Sequence, residues 1–530
     1  MFYKGKMSIQ VREIKGDVVE LVFNPKEDDL RIGENLSIKE KEGGRGLVVQ
    51  VIEFRTVTYP SLVQEMLQLV VESSNPPPPG LFEFYKHELS AYADLKIALA
   101  KIRKLRNFSW EQWDGWIPTR DVIVERISDE EVATNCLRDL GNQLHLGKTL
   151  KGEDFFVEGR DLEKVNIITG VKGSGKSHLA KVLLLELIKR GAIAIVFDIN
   201  KEYIHLPPHR VNFMTGEVLE RGIIHLEAGG SFKIGVRQFG IGPLLTMLQK
   251  FGLPQVSAMH FENRLSRLFS EMDEWERRGR KPPFIGIREL IQMAEEGEFS
   301  SGYGTAGVVD GAIRSRLAAL RNTRVFAANA REAVSFNDYY EQIKGGGALV
   351  MDIADLSNLA RSGFVQAIIE MIKEICEEEI AKGSERFPFL FFEEAHLYVS
   401  RASIDYIVTR ARHLGITSFF ITNMITGLDE AVLRQADNLF LLNLPFEGDV
   451  RHVAKSAITD YETISSFVKR LRRYHTLLIG RCTNLYPLIF RVDPLEGINT
   501  AGETRFFFKT TNDPLGFGLF SRSQVNPKQN

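Results

Sequence analysis

The sequence predicts an α/β core preceded by a small all-β domain, and three observations carry this. Residues 165–190 read as strand, glycine-rich loop and helix. Apolar runs recur at 192–197, 348–352, 389–392 and 418–422. The first lacks polar alternation, as in parallel strands covered on both faces. Residues 1–75 instead alternate apolar and polar with period two, in short stretches cut by turn residues.

Composition bounds the class. A chain of 530 residues accommodates two to four domains. Apolar (44%) and charged (26%) fractions are those of an ordinary soluble protein. A net charge of −2 excludes a global basic field, so any nucleic-acid contact must come from a local patch or a lined channel. Cys136, Cys376 and Cys482 lack metal spacing and read as buried thiols of a reducing compartment. With no run of 18 apolar residues and no signal-peptide pattern, a cytoplasmic protein is expected.

In the first domain, strands are expected at 8–14, 18–23, 36–38 and 46–54, separated by Gly16-Asp17, Asn24-Pro25 and Gly43-Gly44. Such a pattern makes a small barrel or sandwich. The run PPPPG at 76–80 is either a stiff linker or a loop of the same barrel. Residues 91–105 read as a helix or a long strand. Trp110, Trp113 and Trp116 read as a base-stacking cluster or as a satellite core. A strand at 121–127 takes this domain to residue 130.

The second domain is expected over 131–493, with its α/β pattern starting at Leu150. After strands at 155–157 and 165–168, the apolar run 192–197 ends in Asp198-Ile199-Asn200-Lys201-Glu202-Tyr203. Polar groups at a strand's carboxyl end face the crevice where α/β sheets bind ligands. Residues 240–335 have helical periodicity and read as an insertion; its basic turn, Arg277 to Lys281, either touches DNA phosphates or is a solvated loop. Later expectations are a helix at 362–382, one at 407–413 carrying Arg410 and Arg412, and strands at 418–423, 438–442, 474–478 and 488–492. The tail, 494–530, contains Phe506-Phe507-Phe508 and is expected to pack on a neighbour.

The chemistry is concentrated in two stretches. GVKGSGKS at 170–177 has the G-x-x-x-x-G-K-[ST] spacing of a phosphate-binding loop, giving Gly170, Gly173, Ser174, Gly175, Lys176, Ser177 and the following His178 as the nucleotide-binding set. Glycines let backbone N–H groups turn inward around the β-phosphate at the positive end of a helix dipole. Lys176 adds a point charge for the β- and γ-phosphates, and the Ser177 hydroxyl takes a place on Mg²⁺. The second stretch is the apolar run 388–392 followed by Glu393-Glu394. One carboxylate is needed to hold Mg²⁺ and the next to orient and deprotonate water, which assigns Glu393 to the metal and Glu394 to the base. Adjacent strand residues face opposite ways, so the pair divides this work only where the strand gives way to a turn. A polar strand end such as Thr422-Asn423 hydrogen-bonds the γ-phosphate or the water.

With these residues in this order, the chain resembles the HerA-type ATPases of the HerA/FtsK superfamily over about residues 1–500. The resemblance rests on the N-terminal barrel, GVKGSGKS at 170–177, DINKEY at 198–203, FFEEAH at 391–396 and ARHLGITSFFITN at 411–423. It implies a RecA-like P-loop ATPase core and a homohexameric ring that hydrolyses ATP at subunit interfaces and moves double-stranded DNA through its pore. It also implies that the barrel docks a nuclease, often of the NurA type, or another effector in antiviral defence. In that scheme Glu394 activates water, Asn423 takes the sensor position and Arg412 contacts the nucleotide. A trans arginine finger is expected from the neighbouring subunit, with Arg160 considered for it. Lys201 departs from the usual Gly of the DINKEY segment, and Asn423 stands where Gln is common. The same residues fit a second reading, an ATP-gated scaffold that multimerises a partner effector with little translocation. A third, a secretion or conjugation pump of the same superfamily, usually implies membrane attachment, and the missing transmembrane segment counts against it.

Overall fold

Alternation builds the first sheet. In VVELVF of β2 (Val18–Phe23) every second side chain (Val19, Leu21, Phe23) is buried, the period that a strand imposes. In the computed structural model, which describes residues 9–41, 44–56, 95–119, 121–212, 214–300, 306–383, 387–399, 414–456 and 458–495, β2 joins β1 (Gln10–Lys15), β3 (Asn35–Glu40), β4 (Gly46–Thr56), β5 (Lys96–Arg106), β6 (Trp110–Glu111) and β7 (Val122–Arg126). They form one antiparallel sheet in the order β1-β2-β5-β4-β3-β7, with β6 beside β5. Among the described residues no ladder joins β1 to β7, so the sheet is a half-barrel. The stretch 91–105 is a strand, β5, where it is described. Trp113 and Trp116 pack on the half-barrel core. Trp113 donates to the Trp116 carbonyl at 2.6 Å, and Arg45 sits 4.6 Å over the Trp116 ring. Trp110 lies against Tyr486. The tryptophans are half-buried and pack as a satellite core. The PPPPG run, the segment with Arg410 and Arg412, and the tail from 496 lie outside the described residues.

Among the described residues the second sheet has eleven strands. They are β8 (Gln143–Thr149), β9 (Asp154–Glu158), β10 (Val165–Thr169), β11 (Ile193–Asp198), β14 (Ile223–Glu227), β15 (Gly347–Asp352), β16 (Phe389–Phe392), β17 (Thr417–Thr422), β18 (Asn438–Leu441), β19 (His475–Gly480) and β20 (Leu488–Val492); β12 (Arg210–Val211) and β13 (Val218–Glu220) make a separate ribbon. The order is β14-β15-β11-β16-β17-β10-β18-β19-β20-β8-β9. From β14 to β18 every neighbour is parallel, and from β18 to β9 every neighbour is antiparallel.

Consecutive residues of the parallel strands face opposite layers. Ile195, Phe197, Leu390 and Phe392 join one apolar cluster, and Ala194, Val196 and Phe391 the other. Phe197, Phe392 and Phe420 stack across three strands at 5.3 Å centroid separations. On the opposite face Phe391 stacks on Phe419 at 4.5 Å. The helix Lys176–Lys189 covers this second face through Leu179, Leu183 and Leu187. The first face is covered by Asn358–Ala381 and by helices between β14 and β15, among them Ile241–Lys250, Gln255–Arg277, Ile287–Glu295 and Ala306–Asn322.

The α/β sheet begins earlier than Leu150. β8 starts at Gln143, with Leu144 and Leu146 buried. Its alternation is broken at Gly147, where a Cβ would lie 2.0 Å from the Arg491 carbonyl oxygen and the ladder to β9 shifts register.

β5 fastens the two sheets together. Lys101 Nζ lies 2.9 Å from Asp460 Oδ1 and 3.1 Å from Asp17 Oδ2. Arg103 donates to Thr463 Oγ1 at 3.0 Å, and Lys104 to the Asn484 carbonyl at 2.8 Å. Asp460 caps the helix Tyr461–Val468, whose chain leads on to β19.

Candidate nucleotide-binding and hydrolysis site

The glycine-rich loop joins β10 to the helix Lys176–Lys189. Gly173 (φ +79°) and Gly175 (φ +115°) are left-handed, a conformation that glycine adopts without steric cost. A Cβ on Gly175 would lie 2.8 Å from the Tyr474 ring, and one on Gly170 would lie 2.8 Å from Leu442 Cβ and 2.9 Å from Ser174 Oγ. The loop is anchored by Val171 N–H to the Asn443 carbonyl (2.9 Å) and by Tyr474 N–H to the Ser174 carbonyl (2.9 Å). Lys176 is buried, and its Nζ donates across the loop to the Val171 carbonyl at 3.3 Å. Burial pushes its ammonium pKa down, while Glu394, Glu393 and Glu202 pull it back up. Ser177 is half-buried in the first helical turn, where N–H groups have no intrahelical partner. The His178 side chain faces elsewhere: its Nε2 lies 2.7 Å from the Asp493 carbonyl and its ring meets Tyr474 edge-on.

Glu393 and Glu394 follow β16, one strand removed from β10 across β17. Glu394 has φ +47°, which ends the strand and turns the two carboxylates apart. Glu393 is 2% exposed, and its Oε1 accepts from the Tyr203 hydroxyl at 2.5 Å. Burial, then the charge of Glu202, pushes its carboxyl up to about 8. Glu394 is more open. It accepts from Asn423 Nδ2 (3.2 Å) and from the Asn423 N–H (3.4 Å). His396 Nδ1 lies 3.5 Å from Glu394 Oε2, the oxygen that accepts from the Asn423 N–H, and 2.9 Å from Thr422 Oγ1.

The turn after β11 supports this pair from behind. The Asp198 carboxylate accepts from the N–H groups of Asn200 (3.0 Å), Glu202 (3.2 Å) and Tyr203 (3.0 Å). Glu202 accepts from Lys181, a buried lysine of the phosphate-loop helix, at 3.4 Å. Lys201 takes φ +58°, the conformation that the Gly of the related segment would adopt freely. Its ammonium reaches Asp355 (2.9 Å), Asp352 (3.6 Å) and Glu227 (4.0 Å).

The structure therefore brings Lys176, Glu393, Glu394 and Asn423 into one cluster beside the loop, and turns His178 away from it. Arg412 lies outside the described residues. Arg160 is exposed in the turn Gly159–Leu162, before β10 and so at the opposite end of that strand from the loop. Sequence reasoning missed Tyr203 as the partner of Glu393, Lys181 as the partner of Glu202, and Tyr474 as the wall of Gly175. The Glu-Tyr pair was visible, but nothing local ties Tyr203 to a residue 190 positions on. Among the described residues no group of three or more His, Cys, Asp or Glu is placed to hold a metal, and no helix is long and apolar enough to cross a membrane.

A phosphate loop at the carboxyl end of a central parallel strand, with carboxylates on a strand one removed, defines a P-loop ATPase of the RecA-like α/β class. Residues 144–372 match the family model of the helicase HerA central domain. The DNA double-strand break repair helicase HerA of Sulfolobus acidocaldarius is 22% identical over 403 residues, covering 72% of this chain and 74% of that protein. The protein of the same name from Saccharolobus solfataricus is 21% identical over 405 residues, covering 70% and 72%. Among solved structures, VirB4 of Thermoanaerobacter pseudethanolicus shares 16% identity with a TM-score of 0.48, covering 68% of this chain and 99% of that one. The bacterial conjugative coupling protein TrwBdeltaN70 shares 14% identity with a TM-score of 0.48, covering 69% and 92%. Over these residues the chain is similar to the HerA-type ATPases.

Proposed function

We propose that this chain is an ATP-driven double-stranded DNA translocase that works as a homohexameric ring, with a nuclease of the NurA type or another effector docked near the N-terminal half-barrel, in DNA end processing or antiviral defence. The observation that carries the reading is the meeting of Lys176, Glu394 and Asn423 at the mouth of the phosphate loop, in a chain whose relatives are named as DNA repair helicases. Lys176 and the loop N–H groups bind the β- and γ-phosphates. Glu394 orients and deprotonates the attacking water, with Asn423 holding that carboxylate in place. Arg412 and an arginine of the neighbouring subunit complete the charge on the transferring phosphoryl group.

Mg²⁺ fits the donors present. The Ser177 hydroxyl and the Glu393 carboxylate are hard oxygen ligands, and this ion needs only one or two protein oxygens beside phosphates and water. When bound, it neutralises phosphate charge. Glu393 would act through water, since its side chain is buried and committed to Tyr203.

ATP hydrolysis with and without linear double-stranded DNA, measured beside the mass in solution, tests the reading. A hexamer stimulated by DNA is expected. Turnover indifferent to DNA would overturn the motor and leave the ATP-gated scaffold.

A further inference from the structure

We propose that Arg473, held over the ring of Tyr474 beside the first turn of the phosphate-loop helix, is the platform on which the base of the bound nucleotide stacks. This rests on the ATP-site reading and adds to it where the nucleoside lies and what recognises it.

The approach to β19 is built around an uncommon backbone. Tyr474 has φ +64°, rare for a bulky aromatic residue. Both of its backbone groups are used: the N–H donates to the Ser174 carbonyl at 2.9 Å, and the carbonyl accepts from Val492 N–H at 2.8 Å. Its ring fills the space that Gly175 leaves open and meets the His178 ring at 5.1 Å. Tyr474 is thus laid directly on the phosphate loop.

Chain order fixes which end of the nucleotide it meets. The loop from Gly170 to Lys176 surrounds the β-phosphate, and the next N–H groups, of Ser177 and His178, lie towards the α-phosphate. The nucleoside therefore extends past His178, on the side where Tyr474 packs. There the Arg473 guanidinium sits 4.7 Å from the Tyr474 ring centroid. Arg473 is exposed, and no carboxylate among the described residues pairs with it. Lys469, in the same segment, is by contrast tied to Glu447 at 2.6 Å. A guanidinium backed by an aromatic ring presents its other planar face outwards, and such a face stacks on a purine. Stacking is tolerant of base identity, so the platform favours nucleotides over bare phosphates without selecting strongly between ATP and GTP.

Calorimetric titration of the full chain with two probes, ADP and inorganic tripolyphosphate, tests this, because the second carries phosphates without a base. For both Arg473→Ala and Arg473→Lys, ADP affinity is expected to fall about 10-fold while tripolyphosphate affinity stays within about twofold, since lysine keeps the charge but not the plane. Equal loss of both probes in Arg473→Ala with recovery in Arg473→Lys would make Arg473 a phosphate contact and overturn the platform. Unchanged ADP affinity would overturn it as well, and loss of DNA stimulation alone would then mark a DNA contact. Wild-type protein that binds neither probe would instead overturn the site assignment itself.

Discussion

The Tyr203 hydroxyl donates to Glu393 Oε1 at 2.5 Å, linking the turn after β11 to the acidic end of β16. That bond divides the adjacent glutamates. Glu393 is enclosed and already has a partner, while Glu394, turned outwards by its left-handed φ, lies with Asn423 at the mouth of the loop. Tyr203→Phe removes the bond and leaves the Glu393 oxygen buried and unpaired. Leaving a buried acceptor without its partner costs about 1–3 kcal/mol. Turnover is therefore expected to fall roughly 10- to 100-fold, with the KM for ATP within about twofold. Steady-state kinetics on a variant shown to be folded checks this; a change confined to KM would contradict it.

Glu394→Gln keeps the size of the side chain and removes the base. ATP binding is expected to survive, and hydrolysis to fall by about 10²–10⁴, the usual contribution of a general base. Binding is read by titration and hydrolysis by phosphate release. Loss of binding itself would show that Glu394 supports the loop instead of the reaction.

Lys201 tests how this chain replaces a glycine. A left-handed L-residue costs roughly 1–2 kcal/mol. Here the ammonium lies among Asp355, Asp352 and Glu227, and these carboxylates raise its pKa, the hydrogen bond to Asp355 first. Lys201→Gly loses the charge but relieves the backbone, whereas Lys201→Ala loses the charge and keeps the strain. Lys201→Gly is expected to be more stable than Lys201→Ala by about 1 kcal/mol in denaturant unfolding. The reverse order would mean that the turn imposes no strain.

What the sequence made legible has a common physical cause. The strands 193–198, 347–352, 389–392 and 417–422 are buried on both faces, so their composition alone declares them. The phosphate loop is legible because its glycines sit where side chains would collide. β8 is less so: it is an antiparallel strand near the sheet edge, bulged at Gly147, and its short alternation carries little signal. Contacts such as Tyr203 with Glu393, Asn423 with Glu394, and Tyr474 with Gly175 join distant residues. Sequence supplies the partners and the topology supplies the pairing. The left-handed turn at Lys201 was hidden for another reason, because lysine in place of glycine conceals the conformation that glycine would have announced.

The bond between the half-barrel and the ATPase sheet gives a last expectation. Lys101 is 9% exposed and lies between Asp460 and Asp17, with Glu462 at 3.8 Å. Burial alone would raise the Asp460 carboxyl, but Lys101 and the Thr463 hydrogen bonds outweigh it and hold the carboxyl below the ordinary range. A depressed carboxyl contributes stability that is present above the unfolded value, about 3.9, and is lost as pH falls through the folded one. Its contribution is therefore flat between about pH 5 and 8 and decays below about pH 4. Removing one partner of a fully buried pair costs about 3–5 kcal/mol, and the partial exposure of Asp460 reduces that. Lys101→Met is expected to destabilise the protein by about 2 kcal/mol at pH 7 in denaturant unfolding, with the gap to wild type narrowing below about pH 4. Equal stability at pH 7 would show that the two sheets are held by their apolar contacts, Val48, Ile127 and Tyr486 among them, and that the ion pair adds nothing.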